Sequence, residues 1–254
     1  LNPDYLEANY NLGSTYLELK QFNRALEQFK KTLSLNPLYL AAHNNLGIVY
    51  KELGQYDESI KSYKKALSID SNYAEVHNNL GNTLKLMGKS DDAINCYKKT
   101  LEINPDYYEA HNNLGVTLMR KGQINESVLC YKKALSVKKN FTDALNNLGI
   151  AYNLLGRLDD SKKSYEEVIL MNPNNAEALS NLGNLMIDLK DIDSASSNYE
   201  KAYELDSKIP FNLGNLLHTK MHLFAWKDNE KYLDEIILRL KNRAFCEAVN
   251  PVLT

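Results

Sequence analysis

His77-Asn78-Asn79-Leu80-Gly81 is one instance of a phrase that returns every 34 residues, closing on Asn-Leu-Gly at Gly13, Gly47, Gly81, Gly115, Gly149 and Gly183. A glycine locked to that period marks stacked helical hairpins, each of which buries its apolar face only against its neighbours. The chain therefore reads as an all-α solenoid rather than a globule around a pocket. The product of such an array is an extended surface that can hold another chain.

Working outward from the phrase, the repeats fall at 6–39, 40–73, 74–107, 108–141, 142–175 and 176–209, each predicting two antiparallel helices. The first helix of a pair has capping-box spacing in front of it: Asp4 with Glu7, Asn72 with Glu75, Asp106 with Glu109, Asn174 with Glu177. The second ends before the Asn-Pro pairs at 36–37, 104–105 and 172–173, because proline disfavours helix in the residue before it. Gly54, Gly88, Gly122 and Gly156 mark the turn between the two helices. The glycine of Asn-Leu-Gly lies inside a helix, at a cost of about 1 kcal/mol relative to alanine, so packing has to offset it. Small residues twelve positions on (Ala25, Ser59, Ala93, Ser127, Ser161, Ala195) are expected to face it and let the axes approach. The leucine beside each glycine and the aromatic row Phe29, Tyr63, Tyr97, Tyr131, Tyr165 and Tyr199 are expected in the core.

Composition narrows the functions. Of 254 residues 44% are hydrophobic and 24% charged, with a net charge of −2, so a soluble protein without a polyanionic partner is expected. No apolar run reaches the ~18 residues of a membrane span and no signal peptide opens the chain, which points to a cytoplasmic protein with no membrane partner. Cys96, Cys130 and Cys246 form no Cys-x-x-Cys pair and read as small hydrophobes. The lysine pairs 30–31, 64–65, 98–99 and 132–133 read as a solvated outer face, with no nucleic acid implied. His218 and His222 stand four apart, but no third ligand is evident, so no metal is expected. No nucleophile–base set or phosphate loop stands apart from the repeat; neither catalysis nor a cofactor is expected of this chain. Its opening, Leu1-Asn2-Pro3-Asp4-Tyr5, matches Ile103-Asn104-Pro105-Asp106-Tyr107 and reads as the end of a preceding repeat.

Across residues 1–209 these positions resemble the tetratricopeptide repeat: Leu-Gly in helix A, an alanine or serine and an aromatic in helix B, and a closing proline. The resemblance implies a right-handed superhelix of antiparallel helix pairs, with helix A lining the concave side and repeat positions 2, 5, 6, 9, 12 and 13 turned inward. Position 6 is asparagine throughout: Asn11, Asn45, Asn79, Asn113, Asn147 and Asn181. Position 5 is asparagine at Asn44, Asn78, Asn112 and Asn146, and position 2 is mostly acidic (Glu7, Glu75, Glu109, Asp143, Glu177). An asparagine amide offers one donor group and one acceptor, the complement of a peptide unit. Mid-helix asparagine costs up to about 0.7 kcal/mol against alanine, so a ladder of them calls for a reason. Helices pack roughly 8–10 Å apart and an extended chain rises about 3.3 Å per residue, so one rung meets about every third peptide unit. These ten asparagines are therefore the expected peptide-binding residues, gripping the main chain of an extended polypeptide. The lysine clamp that family members use for a terminal carboxylate has no lysine at position 2 or 5 here.

The period fails after 209: Leu213-Gly214 arrives three residues early, and 210–254 reads as a degenerate capping helix pair, with a second helix near 228–243, leading toward a missing domain. An asparagine ladder on such repeats resembles the O-linked N-acetylglucosaminyltransferase family, in which the repeats feed protein substrates to a glycosyltransferase domain. Leu216-Leu217-His218-Thr219-Lys220-Met221, running on to Trp226, is similar to the bacterial members' linker. The resemblance implies a substrate-recruiting arm of a protein glycosyltransferase; the other expectation is a non-enzymatic scaffold for complex assembly or secretion.

Overall fold

The computed structural model describes residues 5–223 and 229–241, which form fourteen α-helices and no strand. The chain divides into two compact units, residues 1–138 and 139–254. The first holds α1 (Leu6–Glu18), α2 (Phe22–Leu35), α3 (Leu40–Glu52), α4 (Tyr56–Ile69), α5 (Ala74–Leu86), α6 (Ser90–Ile103), α7 (Tyr108–Arg120) and α8 (Ile124–Val137). The second holds α9 (Thr142–Leu154), α10 (Leu158–Met171), α11 (Ala176–Asp188), α12 (Ile192–Leu205), α13 (Asn212–His222) and α14 (Asn229–Lys241). Through α12, odd-numbered helices are the A helices of their repeats and even-numbered ones the B helices. Trp226 and the residues beyond 241 lie outside the described residues, so the linker reading falls outside them too.

The helix-A glycine is explained by an aromatic ring. A Cβ built on Gly81 lies 2.7 Å from Tyr97 Cε1, and one on Gly47 lies 2.5 Å from Tyr63 Cε1. The same clash recurs at Gly13 with Phe29, Gly115 with Tyr131, Gly149 with Tyr165 and Gly183 with Tyr199. The small residue twelve positions on, expected to face the glycine, is not what a Cβ there would meet first: the ring sixteen positions on is. The small residue sits beside that contact; Ser59 Oγ donates to Gly47 O and Ser161 Oγ to Gly149 O, both at 2.8 Å, while Ser127 Oγ donates instead to Ile124 O in its own helix at 2.7 Å. The rings are buried almost completely and form the centre of the cores. In the first unit Phe29 packs with Ala42, Leu46 and Val49, and Tyr63 and Tyr97 pack with Val76, Leu80 and Leu114. In the second, Tyr165 and Tyr199 join Leu185, Leu213, Leu216, Tyr232 and Ile236, so the degenerate hairpin α13–α14 closes that core.

The capping-box expectation is also corrected. Helix A starts one residue later than that spacing requires, and its N-cap is Tyr5, Tyr39, Tyr73, Tyr107 or Phe141, none with a side-chain cap bond. Among the A helices only Asn175 caps, accepting from Ala178 N at 2.9 Å. The inter-repeat loop is held instead from its other end. Asn36, Asp70, Asn104 and Asn172, each the C-cap of a B helix, accept through Oδ1 the backbone N–H two residues on, at 2.9–3.1 Å. From inside helix A, His43, His77 and His111 reach back through Nε2 to the carbonyls of Pro37, Ser71 and Pro105 at 2.8–2.9 Å.

The A–B turn requires a left-handed residue: Gly54, Gly88, Gly122 and Gly156 have φ of +70° to +79°. Lys20 and Lys190 hold the same place in the first and last repeats, with φ of 56° and 63°. A side chain there costs about 1–2 kcal/mol, partly offset by glycine's greater unfolded-state entropy. Lys20→Gly and Lys190→Gly are each expected to stabilise by about 0.5–1 kcal/mol in urea unfolding. Gly81→Ala is expected to destabilise by about 1–2 kcal/mol despite better helix propensity, because the buried Tyr97 ring has nowhere to move. Urea unfolding of that variant checks the ring–glycine contact directly; an alanine that stabilises would contradict it.

Candidate functional site

The A helices stand side by side within each unit, joined by a repeated side-chain bond. Asn79 Nδ2 donates to Asn44 Oδ1 at 3.1 Å, Asn113 Nδ2 to Asn78 Oδ1 at 3.2 Å, and Asn181 Nδ2 to Asn146 Oδ1 at 3.0 Å. Each link runs from position 6 of one repeat to position 5 of the repeat before, an offset of 35 residues. Asn45 makes the equivalent link to the first repeat, where position 5 is a tyrosine: its Nδ2 donates to Tyr10 Oη at 3.2 Å. Asn44 in turn donates through Nδ2 to Glu75 Oε1 at 3.0 Å, so this position-2 acid serves the ladder rather than a helix cap.

The two asparagine columns thus differ in environment. Asn44, Asn78, Asn112 and Asn146 are buried, 3–8% exposed, between adjacent A helices. Asn45, Asn79, Asn113, Asn147 and Asn181 are half-buried, and Asn11 on α1 is exposed. A buried amide that is hydrogen-bonded contributes order to the stack; a half-buried one whose donor is fixed keeps an oriented oxygen toward solvent. Among the described residues no partner is found for Oδ1 of Asn79, Asn113 or Asn181.

Position 9 extends the polar row in a way the sequence reading missed. Tyr97 Oη donates to Asn82 Oδ1 at 2.9 Å and Tyr199 Oη to Asn184 Oδ1 at 2.8 Å, so the core ring reaches through to the helix-A face. Where position 9 is Ile48, no hydrogen-bond partner is found for the buried Tyr63 hydroxyl among the described residues. The signal was an asparagine fifteen residues before the ring in two of six repeats, too sparse a pattern to stand out.

Elsewhere the chemistry is quiet. The lysine pairs are exposed on the B helices, where Lys31 pairs with Glu27 at 2.8 Å and Lys99 with Glu102 at 3.1 Å. Burial pushes the thiols of Cys96 and Cys130 up to about 11, so both stay protonated and unreactive near neutral pH. The rings of His218 and His222 meet edge to face at 4.6 Å, and burial, then the neighbouring imidazole, lowers the His218 pKa. Among the described residues no three His, Cys, Asp or Glu side chains are grouped to hold a metal, and no helix is long and apolar enough to cross a membrane.

This is the architecture of a helical-repeat interaction domain. Family models described as TPR repeat match residues 13–54, 49–88 and 117–156, and models described as tetratricopeptide repeat match 74–107, 96–128 and 141–208. Together they run without a gap from 13 to 208, and the chain belongs to the tetratricopeptide repeat family. No curated protein matches the chain in sequence. Solved structures share the fold. PilF of Pseudomonas aeruginosa is 20% identical with a TM-score of 0.74, over 85% of this chain and 97% of its own. Cut9 with Hcn1, from the APC/C, is 17% identical at 0.76, over 86% of this chain and 43% of that one. YrrB, a TPR protein with an unusual peptide-binding site, is 21% identical at 0.60, over 78% of this chain and all of that one.

The two columns should respond differently to truncation. Asn44→Ala removes two hydrogen bonds from a buried site and is expected to cost about 1–2 kcal/mol. Asn113→Ala leaves one buried acceptor unpaired but gains helix propensity, for a net cost under about 1 kcal/mol. Urea unfolding of the two variants separates them.

Proposed function

We propose that the helix-A face of each unit binds extended polypeptide through its position-6 amides, Asn11, Asn45, Asn79 and Asn113 in the first unit and Asn147 and Asn181 in the second. The position-5 asparagines Asn44, Asn78 and Asn146 orient the rungs Asn79, Asn113 and Asn181 from beneath, and Asn112 belongs to the same buried column. The observation that carries this reading is the bond from Asn79 Nδ2 to Asn44 Oδ1 and its counterparts. Each fixes one N–H of a half-buried amide inward and leaves the other N–H and the oxygen for a guest peptide unit. Recognition of the backbone rather than side chains suits an interaction module that accepts many sequences. Family membership supports the same class of role, and a peptide-binding site is known in YrrB.

The resemblance of residues 216–226 supports a narrower reading, the substrate-recruiting arm of a protein glycosyltransferase. The interaction-module reading does not depend on it, and a scaffold for complex assembly would use the same face.

The test is the double variant Asn79→Ala/Asn113→Ala, titrated with a fluorescein-labelled unstructured Ser/Thr/Val peptide. Two lost hydrogen bonds of about 1 kcal/mol each predict an affinity loss of about tenfold or more. Unchanged affinity in a folded variant would remove the proposal.

A further inference from the structure

The 35-residue offset that pairs position 6 with position 5 also pairs position 13 with position 12 of the preceding A helix. In the second unit that pair is complementary: Asn153 Nδ2 donates to Asp188 Oδ2 at 3.0 Å. In the first unit the corresponding residues on α5 and α7 are Lys85 and Arg120. Two cations occupy positions that elsewhere make a direct hydrogen bond. Among the described residues no carboxylate forms an ion pair with either; the nearby Lys51, at position 12 of α3, is already paired with Glu52 at 2.8 Å. Lys85 is half-buried, and desolvation first, then the charges of Arg120 and Lys51, lower its pKa. Asn82 lies one turn before Lys85 on the same face. Its Oδ1 accepts from the Tyr97 hydroxyl, and among the described residues no partner is found for its Nδ2 N–H groups. Lysine, arginine and the N–H groups of this asparagine thus present donors, in a chain whose net charge is −2.

We propose that Asn82, Lys85 and Arg120 form a carboxylate subsite for an Asp or Glu side chain of the guest polypeptide, one to two turns along α5 from the ladder residue Asn79. This rests on the ladder reading and adds selectivity to it: the amides hold any main chain, and the subsite favours a guest with an acid at one register. A bound carboxylate relieves the repulsion between the two cations and supplies Arg120 with the planar partner its guanidinium fits.

The experiment compares two peptides of equal length, one alternating Asp and Ser and the other Asn and Ser, both with amidated C-termini. They are titrated against wild type and Lys85→Met/Arg120→Gln at low and high salt. Wild type is expected to bind the Asp peptide about tenfold more tightly, with the preference fading in high salt. The variant is expected to bind both peptides as wild type binds the Asn one. Because it removes like-charge repulsion, its melting temperature is expected to be unchanged or higher, so lost selectivity does not reflect lost folding. Equal wild-type affinities, or a preference that survives in the variant, overturn the subsite and leave the ladder standing. Failure of both peptides to bind wild type overturns both.

Discussion

Everything in this array depends on an aromatic ring of each B helix lying directly on a glycine of its A helix. With Cβ positions 2.5–2.8 Å from ring carbons, any larger residue at these glycines pushes the hairpin apart. The contact sets the distance between the helices of a pair, and through the shared cores it sets the path of the A row. The penalty of a mid-helix glycine is offset by burying an entire ring, worth about 1.5–3 kcal/mol on transfer alone. It also carries the Tyr97 and Tyr199 hydroxyls through to the opposite side, where they orient Asn82 and Asn184.

The polar face is built by the same repetition. Within each unit an A helix meets the next with an offset of 35, one more than the repeat, so position 6 falls against position 5 of its neighbour. An asparagine at both places lets one amide donate and the other accept. The position-5 residue is thereby buried and the position-6 residue fixed. Stack cohesion and a regular set of surface amides arise from the same bonds. The position 12–13 pair uses that geometry for Asn153 and Asp188, and the cationic pair of Lys85 and Arg120 stands out against it.

The fold was legible because the glycine, the leucine beside it and the aromatic recur in phase. What faces the glycine was not legible: both the small residue and the ring keep the period, and only three-dimensional packing tells them apart. The helix starts were misread because Asp or Asn followed three residues later by Glu matches a capping box, yet the aromatic just after it turns into the helix one residue later. The ten asparagines were visible as columns. Their division into buried supports and half-buried rungs was not, because it follows from the offset between adjacent repeats.

The central claim is that the position-6 amides meet the guest. The most direct measurement is the side-chain amide NMR spectrum of Asn79, Asn113 and Asn181 during titration with the Ser/Thr/Val peptide. The account predicts that these resonances shift together and saturate at one affinity, while the exposed lysines of the B helices stay unperturbed. Shifts confined to the B-helix lysines, with the three amides unmoved at saturation, would contradict it.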